Sequence, residues 1–181
     1  MKTAQDVFKF WFVDHTHEDW FGGKPEFDEK LEGLFANTHP RIAAGEGYAW
    51  RATPQGCLSE IIVLDQFSRQ LHRGSAKAFA QDSMALVLAQ EAVKAGNDIA
   101  LETSQRIFLY LPYMHSESLL IHEEAVRLYS ELGDENALDF EMRHLAVIKR
   151  FGRYPKRNIA LGRTSTPEEQ AYIEETSDVV F

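Results

Sequence analysis

The sequence predicts an all-α fold: about eight helices packed as antiparallel pairs in a bundle or short α-solenoid. Three observations carry that expectation. Alternation of apolar and polar residues with period two is scarce, so no strand pattern emerges. Helix starts recur: Thr3, Thr53, Asp134 and Thr166 can each cap a first turn, and Pro54 and Pro167 follow two of them at the first helical position. Glycines stand where helices should end, at Gly96, Gly133 and Gly152. Short connections between consecutive helices favour antiparallel neighbours. The 181 residues, 44% hydrophobic and 26% charged, suit a single helical domain over 1–181 with a real core.

Each element follows from its own signals. Thr3 precedes Phe8, Trp11 and Phe12 at helical spacing, with Asp6 placed for a capping box. Pro25 opens a second helix whose stripe is Phe27, Leu31, Leu34 and Phe35, and Pro40 should kink or interrupt it between Arg41 and Gly45. From Pro54 to about Ser68 the chain is apolar nearly all round, which places that helix at the centre of the fold. Ser75 should open the next, through Phe79, Met84, Leu86, Val87 and Leu88 to Gly96. A helix from Thr103 should stop at Pro112, and Ser116 should start another through Leu119, Leu120, Val126 and Tyr129 to Gly133. Asp134 should open a helix ending at Gly152, and Thr166-Pro167-Glu168-Glu169 a short last one.

Composition narrows the function classes. A formal net charge of -9 opposes general nucleic-acid binding, because the phosphate backbone is repelled on average. The single cysteine, Cys57, excludes an intramolecular disulfide and points to a reducing compartment. No apolar run approaches the roughly 20 residues a bilayer span needs, and the N-terminal stretch lacks a signal-peptide pattern. These features predict a cytoplasmic protein that does not engage membranes. Dinucleotide, P-loop, nucleophile-elbow and HExxH patterns are missing, so neither a cofactor nor a metal is expected.

The informative residues are charges that fall at core positions. Asp65 lies four residues after Ile61 and seven after Leu58, so it points inward with them, and Arg69 is placed to pair with it at i,i+4. Such a pair either fixes helix ends or serves a ligand. Arg73 follows four residues on. His144 shares a face with Phe140, Ile148 and Phe151, as a core histidine or a proton acceptor. His115 and Glu117 sit at the bend after Pro112, as capping residues or as an acid and a base.

The segment Lys149–Arg163 holds six of the 19 basic residues and no acid. A helix C-terminus explains Lys149 and Arg150 through the helix dipole, but not Arg153, Arg157 and Arg163 beyond Gly152. Interleaved Phe151, Tyr154, Ile159 and Leu161 predict a packed loop. Its arginines either pair with acids such as Asp65, Asp82 and Glu117, or line an anion pocket.

Three blocks, LDQFSRQLHRG (Leu64–Gly74), FLYLPYMHSES (Phe108–Ser118) and RFGRYPKRNIALGR (Arg150–Arg163), with the early FWF and Trp20-Phe21, resemble a largely bacterial family, domain of unknown function 924. The resemblance implies a tetratricopeptide-like helical fold and no established activity. It departs from the family pattern at Ser68, Gln70, Lys156 and His122-Glu123, while Asp65, Gln66, Arg69, Arg73, His115, Glu117, His144, Arg150, Arg153, Arg157, Asn158 and Arg163 match.

The resulting expectation is a polar cavity that binds a small carboxylate or phosphate compound. Asp65, Arg69, Arg73, Arg150, Arg153, Arg157, Asn158 and Arg163 would bind it, with acid–base catalysis by His115, Glu117 and His144 as an extension. The alternative is a peptide- or protein-binding scaffold with a purely structural arginine–carboxylate network and an aromatic groove of Trp11, Trp20, Phe21 and Trp50. The sequence does not decide between enzyme and binder. It leaves a homodimer open.

Overall fold

Helices begin where a side chain or a proline serves the otherwise unpaired N–H groups of a first turn. The computed structural model describes residues 1–21 and 24–177, which form helices and turns, with no strand among them. Two compact units result: Met1–Arg73 with Lys77–Pro112, and Gly74–Ala76 with the chain from Tyr113 onward.

In the first unit α1 (Ala4–Phe12) opens on the expected capping box, Thr3 with Asp6. Helices α2 (His17–Phe21), α3 (Pro25–Phe35) and α4 (His39–Ala43) follow, so Pro40 lies in the first turn of a separate short helix. A 3-10 turn over Tyr48–Ala52 leads into α5 (Pro54–Ile62), whose N-cap Thr53 accepts from the Gly56 amide at 3.1 Å. Every residue from Gly56 to Ser68 is buried, as a helix apolar nearly all round requires. It does not run straight, however. Val63–Phe67 is a π-helical turn before α6 (Ser68–Leu71). Helix α1 packs on α5, α7 on α5 and on the π turn, and α3 on α6.

The core of this unit is aromatic. Trp11 is fully buried, stacked on Trp20 at 5.7 Å and met edge-on by Phe108 at 5.6 Å. Phe10 and Phe67 close the cluster at 6.1 Å. Each such pair adds about 0.5–1.5 kcal/mol beyond the area it buries. Trp11 is therefore core and lines no groove. The stretch after Ser75 differs from expectation: a 3-10 turn over Ala76–Phe79 precedes α7 (Asp82–Lys94), which buries Ala85, Leu88, Ala89 and Ala92 and leaves Val87 exposed.

Helix α8 (Thr103–Met114) carries Pro112 inside its last turn rather than stopping before it. A proline there forfeits one N–H donor near a helix end, and Tyr113 and Met114, both buried, retain their helical positions. In the second unit α9 (Leu119–Leu132) packs on α10 (Glu135–Phe151). Gly133 and Gly152 terminate them at φ 77° and 70°, left-handed conformations that glycine tolerates best. A 3-10 turn, Pro155–Arg157, then packs with α11 (Pro167–Glu175), whose N-cap Thr166 and Glu169 form the expected capping box.

Candidate functional site

The first unit holds the Asp65 group. Asp65 is 1% exposed on the π turn, and its Oδ1 lies 2.9 Å from Arg69 Nη1, the expected i,i+4 pair. Its Oδ2 accepts from Gln66 Nε2. Arg69 also donates to both oxygens of Asp82 at 2.8 and 2.9 Å, and its guanidinium lies over the Phe79 ring. A guanidinium held between two carboxylates is an organiser of acids rather than a ready anion receptor. Arg73 lies at the surface, half exposed, on Asp28 and Gln70.

Beside that group, His39 is buried and its Nε2 lies 2.7 Å from Ser68 Oγ. Ser68 Oγ donates to the Leu64 carbonyl at 2.6 Å, so Nε2 is the donor in this contact. Burial first, and then the neighbouring His72, pull His39 down to about 4. A groove bounded by His17, Glu18, Phe21 and Lys24 contains Phe21 of the expected aromatic groove but none of the residues expected to bind an anion.

The second unit holds the other candidates. The bend 115–118 does not become the first turn of α9, which starts at Leu119. Its polar groups are committed elsewhere. Glu117 accepts from the Tyr154 amide at 2.8 Å and from Arg163 Nη1 and Nη2 at 2.7 and 2.9 Å. Burial pushes its carboxyl up, but Arg163 and the Tyr154 amide outweigh that and hold it low. Glu117 is thus the expected acidic partner of the basic segment.

The remaining arginines find acids nearer in sequence. Arg150 donates to Glu168 at 2.9 Å on an exposed face. Arg153 forms a fork on Glu169 at 2.6 and 2.8 Å and reaches the Thr164 carbonyl. Arg153 first, against some burial, draws Glu169 down to about 2. Buried Asn158 donates to Ser165 Oγ at 3.0 Å and to Glu169 at 3.3 Å. The segment is packed as expected at Tyr154, yet Ile159 is 87% exposed.

Arg157 also packs on an aromatic ring. Its guanidinium lies over the Tyr154 ring, 4.3 Å from the centroid. His144 meets the same ring edge-on at 5.8 Å. His144 is buried and its Nδ1 donates to the Phe140 carbonyl at 2.7 Å, so in the neutral ring Nε2 is the acceptor. Burial foremost, opposed by the Phe140 bond and assisted by His115, His122 and Arg157, drives its value to about 3. Phe140, expected inward with His144, is 46% exposed.

The face of α10 that does turn inward carries Glu141, which the charge reading passed over. Glu141 and His122 are both fully buried, with Oε1 and Nδ1 2.6 Å apart. The signal was available: Glu141 falls four residues from both Ala137 and Leu145, which share its face. Among the described residues, no cluster of three or more His, Cys, Asp or Glu is arranged to hold a metal ion. No helix there is long and apolar enough to cross a membrane.

Comparison with known proteins agrees with this architecture. No curated protein matches the chain. The solved structure of a protein of unknown function, ATU0120 from Agrobacterium tumefaciens, is similar at a TM-score of 0.90 and 34% identity, over 95% of this chain and 97% of that one. The model of a family described as bacterial protein of unknown function matches residues 7–177. On that match the chain belongs to the DUF924 family.

Proposed function

We propose that the protein binds a small anionic compound, a carboxylate or phosphate, at the corner formed by Arg157, Tyr154, His144 and His115. One observation carries the reading: the Arg157 guanidinium lies over the ring that also packs the buried, neutral His144. The cation–π contact anchors a guanidinium whose N–H groups suit bidentate contact with a carboxylate or phosphate. Arg150, Arg153 and Arg163 act as braces, tying the segment to Glu168, Glu169 and Glu117. Neutral His144 adds an acceptor, which in an enzyme would be the general base, with His115 as its companion. Cytoplasmic location suits such a metabolite-sized ligand.

A thermal-shift titration with inorganic phosphate, citrate and other small acids tests the reading. At 100 times its dissociation constant a ligand that binds only the native state adds about 2.7 kcal/mol. Arg157→Ala should abolish the shift, and Arg157→Lys should leave a weaker one. An undiminished shift in Arg157→Ala removes Arg157 from the site, and no shift with any acid overturns anion binding.

A second reading is favoured by the closed pairs Arg69–Asp82, Arg150–Glu168, Arg153–Glu169 and Arg163–Glu117. In it the charges are structural and the chain is a tetratricopeptide-like scaffold for a peptide or protein, or for a second copy of itself. Failure of every acid in the titration, with a folded protein, is the outcome that reading expects.

A further inference from the structure

The buried pair His122–Glu141 adjoins the proposed anion corner through the Tyr154 hydroxyl, and its hydrogen-bond arithmetic is unusually constrained. His122 Nε2 sits 2.9 Å from the Ser116 carbonyl oxygen, which only accepts, so Nε2 carries a hydrogen. The Tyr154 hydroxyl donates to the Met114 carbonyl at 2.6 Å, so toward Nε2, 3.2 Å away, it also accepts. One proton is then left for the 2.6 Å contact between Nδ1 and Glu141 Oε1. The other carboxyl oxygen, Oε2, is buried and no protein donor reaches it. An ionised carboxylate in such a place would leave one charged oxygen unsolvated, whereas a carboxylic acid needs only to donate from Oε1.

We propose that Glu141 is held as a neutral carboxylic acid donating to His122 Nδ1, and that the pair is a proton-dependent latch on the bend 115–118 and on Tyr154. Burial, only partly opposed by His122, raises the Glu141 carboxyl, in agreement. The latch works through tautomers. When base removes the Glu141 proton to solvent, the carboxylate draws the remaining ring hydrogen from Nε2 to Nδ1. Nε2 then presents a lone pair to the Ser116 carbonyl, and the bond holding the bend is lost. The ring keeps one hydrogen throughout, and one proton leaves the protein.

Other titratable or charged groups on the surrounding elements include Tyr113, His115 and Glu117 at the end of α8 and in the bend, Tyr129 on α9, His144 on α10, and Tyr154 and Arg157 in the basic segment, while Glu123, Arg127, Glu131, Asp139 and Arg143 on α9 and α10 are exposed. Glu117 is paired with Arg163, and His144 is neutral until about 3, so neither supplies the alkaline transition. The sign follows. A carboxyl raised by folding contributes stability that is complete below its ordinary value of 4.5 and is lost as pH rises through the raised one. The latch does not depend on the anion reading.

Infrared spectroscopy and ring nitrogen NMR of the intact protein test it. At neutral pH the expected result is a protonated-carboxyl band and His122 with its hydrogen on Nε2. Raising the pH should remove the band and move the hydrogen to Nδ1 in the same transition. In Glu141→Gln, whose amide can donate to Nδ1 as the acid does, the band should vanish and the Nε2 tautomer should persist at alkaline pH. A neutral-pH spectrum without the band, or a His122 ring protonated on Nδ1, overturns the proposal. So does a band that survives in Glu141→Gln. Should that variant fail to fold, the wild-type His122 tautomer and its pH transition decide alone.

Discussion

Glu169 shows how one residue can serve a helix and a loop together. Its side chain closes the α11 capping box through the Thr166 amide at 2.8 Å while receiving the Arg153 fork. Folding holds its value at about 2, below the ordinary 4.5, so its contribution is present above 4.5 and fades as pH falls toward 2. Comparing thermal unfolding of wild type and Glu169→Gln across that range should show a gap that narrows with acid. A gap independent of pH would mean that the charge on Glu169 contributes nothing. His122 and Glu141 are satisfied by a hydrogen bond between two buried side chains, whereas Asp65 is satisfied by the charged Arg69.

Among the elements, α5 is the most constrained. A Cβ at Gly56 would lie 2.0 Å from the backbone oxygen of Trp50, so the 3-10 turn Tyr48–Ala52 can sit against α5 only because that position lacks a side chain. Gly56→Ala is expected to cost about 3 kcal/mol or more in a denaturant titration, since backbone rather than a flexible side chain must yield. A loss below about 0.5 kcal/mol, the range of neutral surface changes, would contradict this contact.

Most helices were legible because caps are local: Thr3, Thr53, Asp134 and Thr166 each accept from the amide expected of a cap. What local signals missed was decided by distant partners. Glu117 and the Ser116 carbonyl are occupied by Arg163 and His122, so the bend outlasts the expected helix start. The π turn Val63–Phe67 has no cap or breaker to announce it, and its polar residues Asp65 and Gln66 are satisfied beside each other. Such turns often mark functional positions, and this one lies in the block that carries the family resemblance. Glu141 was legible by helical spacing, but its partnership with His122 on the neighbouring helix was not.

At the scale of the whole molecule, a net charge of -9 and an anion site are compatible. Exposed charges more than about 10 Å away are largely screened at 0.1 M salt, so an anion near Arg157 responds to its neighbourhood rather than to the net charge. The acids nearest the basic segment are spent on Arg150, Arg153 and Arg163, which fixes its shape without making it a general polyanion surface. The most direct measurement is a crystal structure of the protein soaked with inorganic phosphate or citrate. The account predicts an anion within hydrogen-bond distance of the Arg157 guanidinium, beside His144, with the Arg153–Glu169 and Arg163–Glu117 pairs unbroken. An anion bound elsewhere, or bound by breaking those pairs without contacting Arg157, would contradict it.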